Sequence, residues 1–229
     1  MIQKFDDIRA CVFDAYGTLF DVHSAAAQHS HRLGELETPV SELWRAKQLQ
    51  YTWLRSLMDD YEDFWTVTEN SLDYALASYG ISDTQLREDL MNAYLKLACF
   101  DEVIDVLQAL KQKGIKTAIL SNGSPAMLEG AVENSGIAEF LDACISVDDV
   151  RIFKPAAEVY QLPCTLFGIE PNQVSFQSSN CWDAIGGAHF GYQVAWCNRY
   201  DQQLDRLPAK PQAEIRDLTE LLPLVGIQC

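Results

Sequence analysis

Five times along this chain a short, nearly unbroken apolar run stops abruptly at small or polar residues, and this pattern constrains the fold more than any other feature. The first run, Ile8 to Phe13, stops at Asp14-Ala15-Tyr16-Gly17-Thr18. The others are Lys116 to Leu120 before Ser121-Asn122-Gly123, Ala143 to Val147, Val174 to Phe176 before Ser178-Ser179-Asn180, and Gln193 to Trp196. Runs of this length without alternation suit strands buried on both faces of a parallel sheet.

Helical signals fill the intervals between the later runs. Asp101 is placed to cap a helix with Val103, Ile104, Leu107 and Leu110 on one face, Lys111 and Lys113 in its last turn, and Gly114 as the stop. Ser124-Pro125 opens another helix, which Gly136 ends. This alternation predicts an α/β fold with a doubly wound, Rossmann-like parallel sheet, binding ligands beyond the carboxyl ends of its strands. It breaks between Asp21 and Ala98, where helical periods (Trp44, Leu49, Trp53, Leu54, Leu57; Leu72, Tyr74, Ala75, Leu76) occur without a strand. A helical cap domain over 21–98 is therefore expected, inserted into a core made of 1–20 and 99–229. A length of 229 residues suits one such domain with an insertion. Pro163 is expected to kink or shorten the helix in which it falls.

Charge narrows the partners. With 33 acidic and 17 basic residues the chain carries a formal charge of -16, the wrong sign for a phosphate backbone or an anionic membrane. Neither nucleic acid nor membrane is an expected partner. An anionic substrate remains compatible, because exposed charges beyond a Debye length of roughly 8 Å are largely screened. The seven cysteines (Cys11, Cys99, Cys144, Cys164, Cys181, Cys197, Cys229) form no Cys-x-x-Cys pair and are odd in number, so neither a zinc site nor a full disulfide set is indicated, and a reducing cytoplasm is expected. Met1 to Ala10 carries Asp6, Asp7 and Arg9 where a signal peptide would be apolar, and no run approaches the ~18 residues of a membrane span.

Four strand ends carry polar groups that converge on one crevice. Asp14, at the tip of the first run, is suited to nucleophilic attack, with Gly17 allowing close backbone approach and Thr18 able to hold the carboxylate. The alternative is an ordinary capping or turn Asp. Ser121-Asn122-Gly123 precedes a helix start and can direct donors at an anion, although the tripeptide is also common turn chemistry. Lys154 follows the third run, and Ser178, Asn180 and Asp183 follow the fourth. Arg45, with Glu42 three residues before it, could equally be a solvated helix charge; Lys154 could be a loop charge, and Phe64 and Trp182 plain core. His29 and His31 are spaced to face different sides of a helix, His23 and His189 are isolated, and Cys181 lacks a His partner, so none is expected to act. The run Asp59, Asp60, Glu62, Asp63 reads as a solvated helix end.

These motifs together resemble the haloacid dehalogenase superfamily. Phe13-Asp14-Ala15-Tyr16-Gly17-Thr18-Leu19-Phe20-Asp21-Val22, Trp44-Arg45 with Tyr51-Thr52-Trp53-Leu54, Tyr61-Glu62-Asp63-Phe64-Trp65, Leu120-Ser121-Asn122-Gly123, Lys154-Pro155 with Val159-Tyr160, and Ser178-Ser179-Asn180-Cys181-Trp182-Asp183 are similar to the L-2-haloacid dehalogenases. The superfamily's phosphatases carry a second Asp two residues after the nucleophile and further carboxylates in the last motif; Tyr16 and the Ser178 to Asn180 segment stand here instead, a poor set of oxygens for Mg²⁺. No metal and no cofactor are implied.

The resemblance implies hydrolysis of short (S)-2-haloalkanoic acids to (R)-2-hydroxy acids through an aspartyl ester on Asp14, with inversion. The alternative is a phosphatase or phosphotransferase of the same superfamily. Arg45 would draw off halide, and Lys154 and Ser121 would position Asp14 and the substrate carboxylate. Thr18, Tyr160, Ser178, Asn180 and Asp183 would complete the polar network, with Asp183 serving water. Tyr16, Leu49, Phe64 and Trp182 would form the apolar wall, and Ala15 and Asn122 would add substrate contacts. The implied partners are a small anionic 2-haloacid and, as a homodimer, a second copy of the chain.

Overall fold

Strand β1 (Ala10–Phe13) pairs on both edges and is buried on both faces along its whole length, and the burial of both faces explains why its sequence is apolar without alternation. The structure, a computed structural model, describes residues 4–228; Cys229 and the first three positions of the N-terminal stretch lie outside the described residues. After β1 the chain forms only helices for a long interval: α1 (Ser24–Ala27), α2 (Ser30–Leu33), α3 (Glu37–Met58), α4 (Phe64–Ser78) and α5 (Thr84–Tyr94). Alternation then begins with α6 (Val103–Lys113), β2 (Lys116–Ser121), α7 (Pro125–Ser135), β3 (Ala143–Ser146), α8 (Ala157–Phe167), β4 (Val174–Ser178), α9 (Cys181–Phe190), β5 (Gln193–Cys197), β6 (Ala213–Ile215) and α10 (Leu221–Leu224).

The six strands form one parallel sheet in the order β3-β2-β1-β4-β5-β6. The chain adds strands outward on one side of β1, then crosses back and adds them on the other, so β1 and β4 flank the switch point. In open α/β sheets the ligand crevice opens there, beyond the carboxyl ends. The helical segment enters and leaves through neighbouring residues: Phe20 bridges Cys99, Asp21 N–H donates to the Ala98 carbonyl at 3.1 Å, and Phe100 N–H donates to the Leu19 carbonyl at 3.0 Å. Within that segment the side chains of Asp63 and Asp83 cap α4 and α5 by accepting from Thr66 N–H at 2.9 Å and Leu86 N–H at 3.0 Å.

Several local expectations need correction. Strand β6 is a sixth strand; three residues long, at the sheet edge and with Glu214 exposed, it lacks the apolar run that marks the others. Strand β1 begins at Ala10, so Ile8 and Arg9 precede it. Pro163 neither ends nor shortens α8, which continues to Phe167 with the ring buried in its packed face. Helix α6 starts after Glu102, and neither Asp101 nor Glu102 caps it with a side chain; Ile104 is 38 % exposed while Val106 takes its place on the buried face. Gly114 and Gly136 do end their helices in the left-handed conformation. Leu54 and Leu57 point away from the core, at 44 % and 83 % exposed, because the buried stripe of α3 runs through Val40, Trp44, Gln48 and Thr52. Of the acidic run, Asp63 is the α4 cap and only Asp59, Asp60 and Glu62 are exposed. Among the described residues no helix is long and apolar enough to cross a membrane, and the six described cysteines are all unpaired.

Candidate active site

Asp14 is the residue after the tip of β1, with its backbone N–H still on the ladder, donating to the Gln177 carbonyl at 2.9 Å. Its side chain therefore leaves the sheet at the switch point, and it is 6 % exposed. Gly17, at φ 91°, turns the chain sharply back, so that Thr18 Oγ1 donates to Asp14 Oδ2 at 3.2 Å. The same carboxylate oxygen accepts from Asn180 Nδ2 at 2.7 Å and Ser178 Oγ at 3.3 Å. Both hydroxyls have their lone pairs engaged by backbone: Ser179 N–H donates to Thr18 Oγ1 at 2.8 Å and Asn180 N–H to Ser178 Oγ at 3.2 Å. That leaves each hydroxyl proton for Asp14.

The other oxygen, Oδ1, accepts from Lys154 Nζ at 3.1 Å. The same ammonium donates to Asp183 Oδ2 at 2.8 Å, and Asp183 Oδ1 accepts from Tyr160 Oη at 2.7 Å. Lys154, Asp183 and Tyr160 are at most 1 % exposed. Burying such ions costs several kcal/mol each, so the cluster holds only because every charge has partners. Burial alone would lower the Lys154 ammonium, but the fields of Asp14 and Asp183 outweigh it and leave the group raised. Burial raises the Asp183 carboxyl, Lys154 opposes this, and Asp14 adds to it. Burial and then the Asp183 charge push the Tyr160 phenol well up, which keeps it a donor.

The two site carboxylates are thus bridged by an ammonium, and among the described residues no group of three or more His, Cys, Asp or Glu is arranged to hold a metal ion. The Mg²⁺ of the superfamily's phosphatases requires an oxygen-rich octahedral shell, which this donor set does not fit.

The helical segment supplies the facing wall. Arg45, on α3, donates from Nη1 to Gln48 Oε1 at 2.7 Å and from Nη2 to the Tyr16 carbonyl and Asn180 Oδ1, both at 3.2 Å. It turns inward and makes no ion pair with Glu42 or any other described carboxylate. Arg45, Leu49 and Phe64 meet Asp14, Tyr16, Ser121, Asn122, Lys154, Asn180 and Trp182 around a small cavity of about 10 Å³. Outside it lies a vestibule of about 530 Å³ that shares Arg45, Leu49, Asn180 and Trp182 and adds His23 and Tyr200.

Thr18, Tyr160, Ser178 and Asp183 stand behind the cavity wall and reach it through Asp14 and Lys154. Ser121 Oγ accepts from Gly123 N–H at 3.0 Å, and Asn122 Oδ1 accepts from Lys154 N–H at 3.0 Å, so the second strand's loop braces the third's. Ala15 is not on the wall; its carbonyl accepts from the N–H groups of Thr18, Leu19 and Phe20 and closes the turn. Tyr16 stacks on Tyr94 at 5.5 Å and Trp182 meets Trp53 edge-on at 5.3 Å. The Tyr16 hydroxyl and Trp182 Nε1 are buried without a protein partner. Cys181 accepts from Asp205 N–H at 3.2 Å, and burial pushes its thiol up, away from a nucleophile's range.

The residues missed from sequence lie behind Arg45 and Tyr16: Gln48, Thr68 and Tyr94, all buried. Gln48 follows Arg45 by three residues, and that helical spacing was the available signal.

A sequence profile of the haloacid dehalogenase-like hydrolases matches residues 8–191. The chain is 43 % identical over 221 residues to (S)-2-haloacid dehalogenase 1 of Pseudomonas sp. (strain CBS-3), covering 96 % of this chain and 97 % of that one. It is 42 % identical over 222 residues to (S)-2-haloacid dehalogenase 4A of Burkholderia cepacia, covering 96 % of each. The L-2-haloacid dehalogenase of Xanthobacter autotrophicus, solved with chloropropionic acid covalently bound, superposes with a TM-score of 0.89 at 36 % identity, over 96 % of this chain and all of that one. With family profile, sequence and fold in agreement along nearly its whole length, this chain belongs to the haloacid dehalogenase-like hydrolases and, among them, to the (S)-2-haloacid dehalogenases.

Proposed function

We propose that the chain hydrolyses short (S)-2-haloalkanoic acids to (R)-2-hydroxy acids and halide through an ester on Asp14. The observation that carries this reading is the asymmetry of the Asp14 carboxylate. Oδ2 accepts three hydrogen bonds and has no lone pair to spare, whereas Oδ1 is met only by Lys154 and keeps one free. Oδ1 attacks the halogen-bearing carbon in line, the carbon–halogen bond breaks, and halide leaves with the electron pair toward Arg45. The carbon inverts. Oδ2 becomes the ester carbonyl oxygen, and Thr18, Ser178 and Asn180 are aimed at it as charge develops there in the second step.

In that step water attacks the Asp14 carboxyl carbon and its proton passes by way of Lys154, which joins the cavity wall to Asp183, to that buried carboxylate, whose raised affinity for protons suits a base. The ester bond to Oδ1 breaks, that oxygen leaves as the product hydroxyl with the proton returned from Asp183, and water's second proton passes to solvent as Asp14 is restored as a carboxylate. Covalently bound chloropropionic acid in the Xanthobacter relative supports the ester. Lys154, Ser121 and Asn122 hold the substrate carboxylate, while Tyr16, Leu49, Phe64 and Trp182 enclose the alkyl group and halogen.

The cavity of about 10 Å³ holds roughly one water, less than any haloacid, so this reading includes outward motion of 21–98 as a cap about the paired crossings at Phe20–Asp21 and Ala98–Cys99. It also includes a homodimer, for which the exposed Leu54, Leu57 and Met58 offer apolar surface, and a reducing compartment, in which free cysteines persist. The test is halide release from each enantiomer of 2-chloropropionate with chiral analysis of the product. The S enantiomer should yield chloride and R-lactate and the R enantiomer nothing; S-lactate from the S substrate would overturn the inverting route.

A further inference from the structure

Arg45 differs from most other arginines of this acidic chain. Arg32 pairs with Asp83 and Asp89, Arg87 with Asp73 and Glu69, Arg55 with Asp60 and Arg199 with Glu102. Arg45, although partly buried beside Asp14, is held only by neutral oxygens: Gln48 Oε1, the Tyr16 carbonyl and Asn180 Oδ1. Gln48 itself is fixed. The Thr68 hydroxyl donates to the Phe64 carbonyl at 2.6 Å, so its lone pairs accept from Gln48 Nε2 at 2.7 Å. The amide nitrogen therefore faces Thr68 and its oxygen faces the guanidinium, which can only donate. The Tyr94 hydroxyl, 3.2 Å from both amide atoms, closes the network, and Gln48 is 1 % exposed.

We propose that Gln48 is a positioning residue for anion binding: locked by Thr68 and Tyr94, it aims Arg45 into the cavity through a neutral acceptor and so leaves the guanidinium charge uncompensated for a halide ion. A carboxylate of the same shape would hold Arg45 equally well and cancel that charge. The network stands behind the cavity wall, so Gln48 acts through Arg45 and touches no reacting atom. The proposal rests on the reading that Arg45 receives the departing halide.

The test is product inhibition of (S)-2-chloropropionate turnover by sodium bromide at constant ionic strength, with thermal midpoints measured alongside. Gln48→Glu should keep or raise the midpoint, weaken bromide inhibition at least tenfold, and lower kcat more than it raises KM. Gln48→Met, which removes the acceptor but adds no charge, should weaken inhibition less and remains informative if the Glu variant fails to fold. Bromide inhibition within twofold of wild type in both folded variants would overturn the proposal, as would absence of bromide inhibition in wild type. Failure of wild type to release halide from any 2-haloacid would instead overturn the proposed function, so the two failures are distinguishable.

Discussion

The two sides of the cavity treat charge in opposite ways. On the sheet side Asp14, Lys154 and Asp183 are tied to each other and to four uncharged donors, with Lys154 and Asp183 sealed from solvent. On the helical side Arg45 has only neutral acceptors, and beside it the Tyr16 hydroxyl and Trp182 Nε1 lack protein partners. In the proposed mechanism the difference follows from what each side must do. A nucleophile and its base must keep one geometry through a complete cycle, which compensated charge in a dry site enforces. A group that receives a departing anion must stay unpaired until the anion forms and must release it afterwards.

Substitutions should separate the two sides, the largest effects falling on the sheet. Asp14→Asn should fold normally and lose essentially all turnover, on the order of 10⁶-fold as for other knocked-out nucleophiles, read as halide release. Lys154→Met leaves two carboxylates buried without their cation and should cost about 3–5 kcal/mol in chemical denaturation, together with nearly all activity. On the helical side Arg45→Ala should lower kcat by about 10²–10³-fold with a smaller change in KM, because the halide charge is complete only late in the step. A change in KM alone would recast Arg45 as an anchor for the substrate carboxylate and would erase the contrast between the sides.

Titration of the sheet side should show smaller effects. In the proposed mechanism Asp183 must be ionised to take up water's proton and its carboxyl is raised by burial, so activity should fall on the acid side above the ordinary Asp range. Lys154 must stay charged and is raised by its two carboxylates, so the alkaline fall should lie above the ordinary lysine range. A kcat profile measured on the stable protein checks both limbs. The smallest expected effect is none: EDTA should leave the rate unchanged, since Lys154 bridges the carboxylates that a cation would need, and restoration of a lost rate by Mg²⁺ would contradict that arrangement.

The sheet side was largely legible in sequence because each of its groups ends an apolar run or follows one closely, and parallel strands bring such ends together. Asp14, Ser121, Ser178 and the later Lys154 and Asp183 are found by that rule, Thr18 by the turn that follows Asp14, and the resemblance added Tyr160. The helical side was less legible. A helix face offers many polar positions, and which of them turns inward depends on packing against a second helix; Gln48 looks like any surface glutamine until Thr68 and Tyr94 are brought to it. Leu54 and Leu57 failed in the converse way, since apolar spacing marks a stripe but not what covers it. Strand β6 escaped because an edge strand of three residues, paired on one side only, needs no apolar run.

In the proposed mechanism Asp14 attacks substrate carbon while water attacks Asp14. A single turnover with enzyme in excess, in water enriched in heavy oxygen, tests it directly. A heavy oxygen should appear in the Asp14 side chain, located by mass spectrometry of the peptide containing Asp14, and the product hydroxyl should have ordinary mass, because the ester oxygen that departs came from the enzyme. Heavy oxygen in the first-turnover product with Asp14 unlabelled would mean that water displaces halide directly, which would reduce Asp14 to a general base and rule out the ester.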